Sequence, residues 1–98
     1  MVEAELLYRE KYVYFDGNIR EMVLWKLPNS TIDRPDGIKY RLYYGTRDGI
    51  CLVRYDNESG KGDHRHWLDS EKPYRFESIE KLVSDFLTDI ERLRRDGT

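Results

Sequence analysis

The sequence predicts an α+β domain: an antiparallel β-sheet of about five strands with one C-terminal α-helix packed on one face. Three observations lead there. Residues 4–56 carry short runs rich in apolar, β-branched and aromatic residues, separated by turn residues. The C-terminal segment switches to helical spacing. With 98 residues, 39% of them hydrophobic, the chain fills one core and not two, so residues 1–98 read as a single domain.

The elements follow in order. Leu6-Leu7-Tyr8 is a short apolar run, and Tyr12-Val13-Tyr14-Phe15 is β-branched and aromatic. Asp16-Gly17-Asn18 supplies turn chemistry, because Gly and Asn tolerate positive φ. Glu21-Met22-Val23-Leu24-Trp25-Lys26-Leu27 is the next strand, stopped by Pro28. Residues 28–38, with Pro28, Pro35 and Asp36-Gly37, read as an exposed loop. In Lys39-Tyr40-Arg41-Leu42-Tyr43-Tyr44 the period of two sets Tyr40, Leu42 and Tyr44 on one face and Lys39, Arg41 and Tyr43 on the other. Asp48-Gly49 predicts a hairpin turn into Ile50-Cys51-Leu52-Val53-Arg54-Tyr55. Connections this short imply antiparallel pairing.

At the C-terminus Ile79, Leu82, Val83, Phe86, Leu87, Ile90 and Leu93 form one apolar stripe at helical spacing. Ser78 fits as N-cap, with Phe76 placed for a staple-like contact near Leu82. Glu80 in the first turn and Arg92, Arg94 and Arg95 in the last suit the helix dipole, and Gly97 is a stop signal. A stripe of this kind must be buried on the sheet, which gives two layers.

Composition excludes several classes. Seventeen Lys+Arg against 19 Asp+Glu leave a formal charge of −2, so nucleic acid cannot be bound through global charge and would need a local basic patch. The one cysteine, Cys51, lies in an apolar run; it reads as a small buried hydrophobe and permits neither an internal disulfide nor a multi-cysteine metal site. Residues 1–5 lack signal-peptide character. No apolar run approaches the roughly 20 residues of a membrane helix. A soluble, cytoplasmic protein without membrane contact is expected.

Residues 55–67 are different. They hold both histidines, His64 and His66, with Lys61, Asp63 and Arg65 around them and Gly60 and Gly62 bracketing the lysine. No apolar periodicity appears before Trp67, so core packing does not explain the composition. In an extended segment the two imidazoles project from the same face, roughly 6–7 Å apart. Such a pair can serve as base and acid near neutral pH. Lys61 and Arg65 could hold a phosphate, and RNA supplies its own 2′-hydroxyl nucleophile, so cleavage would need only a base, an acid and a cationic clamp. Two other readings stay open: a His-x-His metal site completed by Asp56, Glu58 or Asp63, and a polar loop that returns the chain from sheet to helix. Gly60-Lys61-Gly62 lacks P-loop spacing, and no Gly-x-Ser-x-Gly elbow occurs. The strand tyrosines could stack on bases but are common packing residues. Arg41 could meet phosphate or solvent. The Arg92–Arg95 cluster reads as a solvated helix end.

Several segments together resemble a known family. They are Glu5-Leu6-Leu7 with Arg9-Glu10-Lys11, Asp16-Gly17, Glu21 to Trp25, Lys39 to Tyr44, Tyr55-Asp56-Asn57-Glu58, Gly60-Lys61-Gly62-Asp63-His64-Arg65-His66, Pro73-Tyr74-Arg75-Phe76 and Asp85-Phe86-Leu87. Over nearly the whole chain the sequence resembles the TumE-type family of small prokaryotic proteins, the toxin components of toxin–antitoxin pairs. The resemblance implies a cytoplasmic protein with a cognate antitoxin, often a helix-turn-helix DNA-binding protein. It raises RNA as a substrate and carries over no catalytic residues.

The resulting expectation is a toxin acting on RNA as a metal-independent ribonuclease without cofactor. His64 and His66 form its acid–base pair, with Asp63 orienting a histidine. Lys61 and Arg65 bind phosphate, and Arg41 and Tyr55 line the site. The alternative is a non-catalytic module that binds protein or nucleic acid. An unpaired sheet edge would favour a homodimer.

Overall fold

A computed structural model describes residues 3–32, 34–58 and 62–96. Six strands run in chain order: β1 (Glu5–Val13), β2 (Ile19–Lys26), β3 (Ile38–Gly45), β4 (Cys51–Asp56), β5 (His64–Trp67) and β6 (Ser70–Pro73). One helix, α1 (Ile79–Arg95), follows. The strands form one sheet in the order β1-β2-β3-β4-β5-β6, with every neighbouring pair antiparallel.

The α+β class and the single covering helix match the sequence, and among the described residues the strands number six rather than about five. The two N-terminal runs are one strand, continuous through Arg9-Glu10-Lys11 and interrupted by an irregularity between Leu6 and Tyr8. Strand β1 ends at Val13, and Phe15 stands in the turn, 99% exposed. Beyond β4, residues expected to loop back instead make the hairpin β5–β6. Its turn begins at Leu68, which has φ 52, a left-handed conformation that disfavours a branched side chain. The Leu68 N–H donates to the Leu52 carbonyl at 2.8 Å, which ties the turn to β4.

Alternation divides the sheet into two chemically different faces. Met22, Leu24, Tyr40, Leu42, Tyr44, Val53 and Tyr55 point to one side and are buried with Leu82, Phe86, Ile90 and Leu93 of α1. The helix lies across β3 and β4. It starts at Ser78, whose Oγ accepts from the Lys81 N–H at 3.1 Å. Phe76 stacks on Tyr40 with centroids 5.7 Å apart. Gly97, the expected stop, lies outside the described residues.

Polar ties reinforce this packing. Asp89, 5% exposed, accepts from Tyr55 Oη at 2.6 Å and Arg65 Nε at 2.8 Å through Oδ2, so one carboxylate joins α1 to β4 and β5. Tyr74 Oη donates to Asp85 Oδ2 at 2.6 Å, and Lys81 Nζ reaches the same oxygen at 3.0 Å. Burial opposes ionisation of Asp85, but the bonds from Tyr74 and Lys81 outweigh it and hold the carboxyl below its ordinary value of 3.8. A depressed folded-state pKa stabilises the fold above the unfolded value, and that contribution is lost as pH falls through the folded value. Tyr74→Phe is therefore expected to cost about 1 kcal/mol at neutral pH. The gap from the parent should narrow below about pH 4, as read by denaturant titration across pH.

Candidate functional site on the open face of the sheet

Among the described residues no helix covers the other face. Two cross-strand rows lie on it. In the first, Arg41, Asp56, His64 and Pro73 are successive register partners on β3, β4, β5 and β6. In the second, Tyr43, Arg54, His66 and Glu71 are. The β4–β5 pairing thus sets His64 beside Asp56 and His66 beside Arg54. A cleft of about 400 Å³ opens next to them, lined by Lys39, Tyr40, Arg41, Arg54, Asp56 and Glu58. Asn57, 3% exposed, helps to fix this end of β4: its Oδ1 accepts from the Tyr40 N–H and its Nδ2 donates to the Ile38 carbonyl.

Asp56 is the centre of the polar contacts. Arg54 Nε donates to its Oδ2 at 2.9 Å. His64 Nε2 comes within 2.9 Å of Oδ1 and 3.4 Å of Glu71 Oε1. The approach to Oδ1 falls short of hydrogen-bond geometry, and Oδ1 has no hydrogen-bond partner. On the far side of the ring, Nδ1 lies 3.2 Å from the Gly62 carbonyl. His64 is 6% exposed, and both its ring nitrogens face oxygen atoms. His66 is less buried, and its Nδ1 has no hydrogen-bond partner. Among the described residues, Asp56 Oδ1 and His66 Nδ1 are the buried side-chain polar atoms left without a hydrogen bond, and both belong to this site. Asp56 Oδ1 still has His64 Nε2 beside it at 2.9 Å, so His66 Nδ1 is the one of the two with no polar partner among the described residues.

The structure brings together His64, His66 and Arg41 from the sequence expectation. It does not bring Asp63, Arg65 or Tyr55 to that face. Asp63 accepts from Tyr40 Oη at 2.7 Å on the helix side. Arg65 is bound to Asp89, and Tyr55 is a core residue whose hydroxyl is pushed far above the tyrosine range by burial and by the Asp89 carboxylate. Lys61 lies outside the described residues. Asp56 occupies the position beside a histidine that Asp63 was expected to take, and Arg54 the basic position beside the pair. The parity was readable: if His64 and His66 share a face, Asp63 and Arg65 point away from it. Glu71 and Tyr43 join the site only through strand pairing. Among the described residues no group of three or more His, Cys, Asp or Glu is arranged to hold a metal ion.

Fold and site define a small α+β protein that presents histidine, arginine and carboxylate groups on the bare face of an antiparallel sheet. Comparison with protein families narrows that class: the family described as Toxin TumE matches residues 2–94, and the chain belongs to it. No curated protein and no solved structure matches the chain. Membership in a toxin family implies an antitoxin partner. Among the described residues no helix is long and apolar enough to cross a membrane.

Proposed function

We propose that this toxin cleaves RNA in the cytoplasm as a metal-independent ribonuclease, using the open face of its sheet. The observation that supports it most is the joining of His64, His66, Arg41, Arg54 and Asp56 on that face. Arg54 and Arg41 donate to the non-bridging oxygens of the phosphate and offset the charge that grows there. One imidazole takes the proton from the 2′-hydroxyl, whose oxygen attacks the adjacent phosphorus. The bond from phosphorus to the 5′ oxygen breaks, and that oxygen receives a proton. The products are a 2′,3′-cyclic phosphate and a 5′-hydroxyl. His66, the less buried of the two rings, suits the base. His64 acts through Asp56, the carboxylate between it and the cleft, and the pair supplies the second proton. Asp63, Arg65 and Tyr55 support the site from the helix side.

Supplied with excess RNA, the purified chain is expected to make many cuts per molecule, and a chelator should leave the rate unchanged. Loss of cleavage on chelation would contradict the metal-independent step. The burial of His64 favours a second reading, in which the face binds a protein or nucleic acid without chemistry; saturable binding with no cleavage would establish it. The antitoxin is expected to be a helix-turn-helix DNA-binding protein encoded nearby. The exposed edge of β1 is expected to pair two copies into a homodimer, which sedimentation would detect.

A further inference from the structure

Tyr43 is not explained by the core. It lies on the open face, where no helix packs, and its hydroxyl makes no hydrogen bond among the described residues. Its ring lies down along the sheet. Gly45, two residues on, shares its face, and a Cβ there would overlap the Tyr43 hydroxyl and ring carbon. The glycine therefore leaves the space that the hydroxyl end of the ring occupies. Cations stand around it: the Arg41 guanidinium carbon lies over the ring, 5.3 Å from its centroid, and Arg54 is the register partner on β4, followed by His66 on β5. Two strand spacings, about 10 Å, separate Tyr43 from His66 across the sheet.

A ring reclining on an open antiparallel sheet beside arginines has the chemistry of a base platform. Unpaired bases stack on aromatic faces while cations hold the backbone, and each stack contributes about 1–3 kcal/mol. Paired bases have no free face to offer. We propose that Tyr43 is a nucleobase-stacking subsite, and that the ligand of the open face is single-stranded RNA whose unpaired base lies on Tyr43 next to the phosphate held by Arg54. This rests on the RNA reading above and adds to it a substrate class and a residue that selects it.

The test uses the full chain and a short oligoribonucleotide with 2′-O-methyl groups throughout, which blocks attack by the 2′-hydroxyl and separates binding from cleavage. Fluorescence anisotropy is read for the parent, Tyr43→Ala and Tyr43→Phe. The ligands are the single strand, its duplex, and strands carrying one abasic nucleotide at each position in turn. Tyr43→Ala is expected to weaken single-strand binding by about 5–150-fold and Tyr43→Phe by less than about twofold. The duplex should bind weakly and equally to all three. One abasic position should weaken parent binding as Tyr43→Ala does, and the two losses should not add, because they remove the same stack.

The subsite is overturned if Tyr43→Ala binds like the parent, if Tyr43→Phe loses as much as Tyr43→Ala, or if the abasic and alanine losses add in full. Should Tyr43→Ala fail to fold, the abasic series on the parent decides alone: no sensitive position overturns the proposal. A parent that neither binds nor cuts RNA removes the RNA reading and the subsite together, whereas a parent that cuts RNA while Tyr43→Ala binds normally removes the subsite alone.

Discussion

Replacing His66 with alanine is expected to lower RNA cleavage by about 10²–10⁴-fold, the usual contribution of a positioned acid or base. The thermal midpoint should stay within about 4 °C of the parent. The two effects separate because of where the ring sits. Its Nδ1 has no hydrogen-bond partner, so truncation leaves no internal bond broken, and its neighbour Arg54 keeps its bond to Asp56. His64 is the less clean probe. It is 6% exposed and lies against both Asp56 and Glu71, so His64→Ala removes packing and leaves a cavity beside the Asp56 carboxylate. A drop in cleavage with an unchanged melting curve in His66→Ala therefore reports chemistry. Unchanged cleavage in a folded His66→Ala protein removes that ring from the mechanism.

The second large effect is on stability. Asp89→Ala is expected to cost about 3 kcal/mol. One oxygen of this carboxylate accepts from Tyr55 and from Arg65, so its removal leaves a buried hydroxyl and a partly buried guanidinium without their acceptor. Arg65 keeps 26% of its side chain exposed, which places the cost at the low end for a buried pair. In a domain this size the midpoint should fall by about 12–24 °C. The site lies on the opposite face, so cleavage per folded molecule should persist at low temperature. Arg65→Met should behave the same way, with lower stability and retained cleavage. A variant that stays fully folded and loses cleavage would return Arg65 to the phosphate-binding role that its place between the histidines suggests.

Much of the fold was legible because burial leaves a period in the sequence. The stripe from Ile79 to Leu93 marks α1, and the period of two in Lys39 to Tyr44 is enough to assign both faces of β3. β5 and β6 were not legible for the reason that makes them interesting. His64-Arg65-His66-Trp67 has polar groups on both faces, imidazoles toward the open side and a guanidinium toward Asp89, so no apolar alternation marks the strand. Ser70-Glu71-Lys72-Pro73 is an exposed edge with no core to face. Within the site, the shared face of the two histidines followed from strand geometry alone. The partnership of His64 with Asp56 depends on how β5 registers on β4, and residues 57–63 carry no local signal for that register.

The central claim is that the open face cuts RNA by 2′-hydroxyl attack, and the ends of the products test it most directly. Full-length parent and His64→Ala/His66→Ala proteins, each shown to be folded, are incubated with excess RNA and a chelator, and the new termini are identified. The parent is predicted to turn over and leave 2′,3′-cyclic phosphate and 5′-hydroxyl ends, and the double variant to leave the RNA intact and no longer arrest growth. A folded double variant that still cuts RNA and still arrests growth would contradict the account.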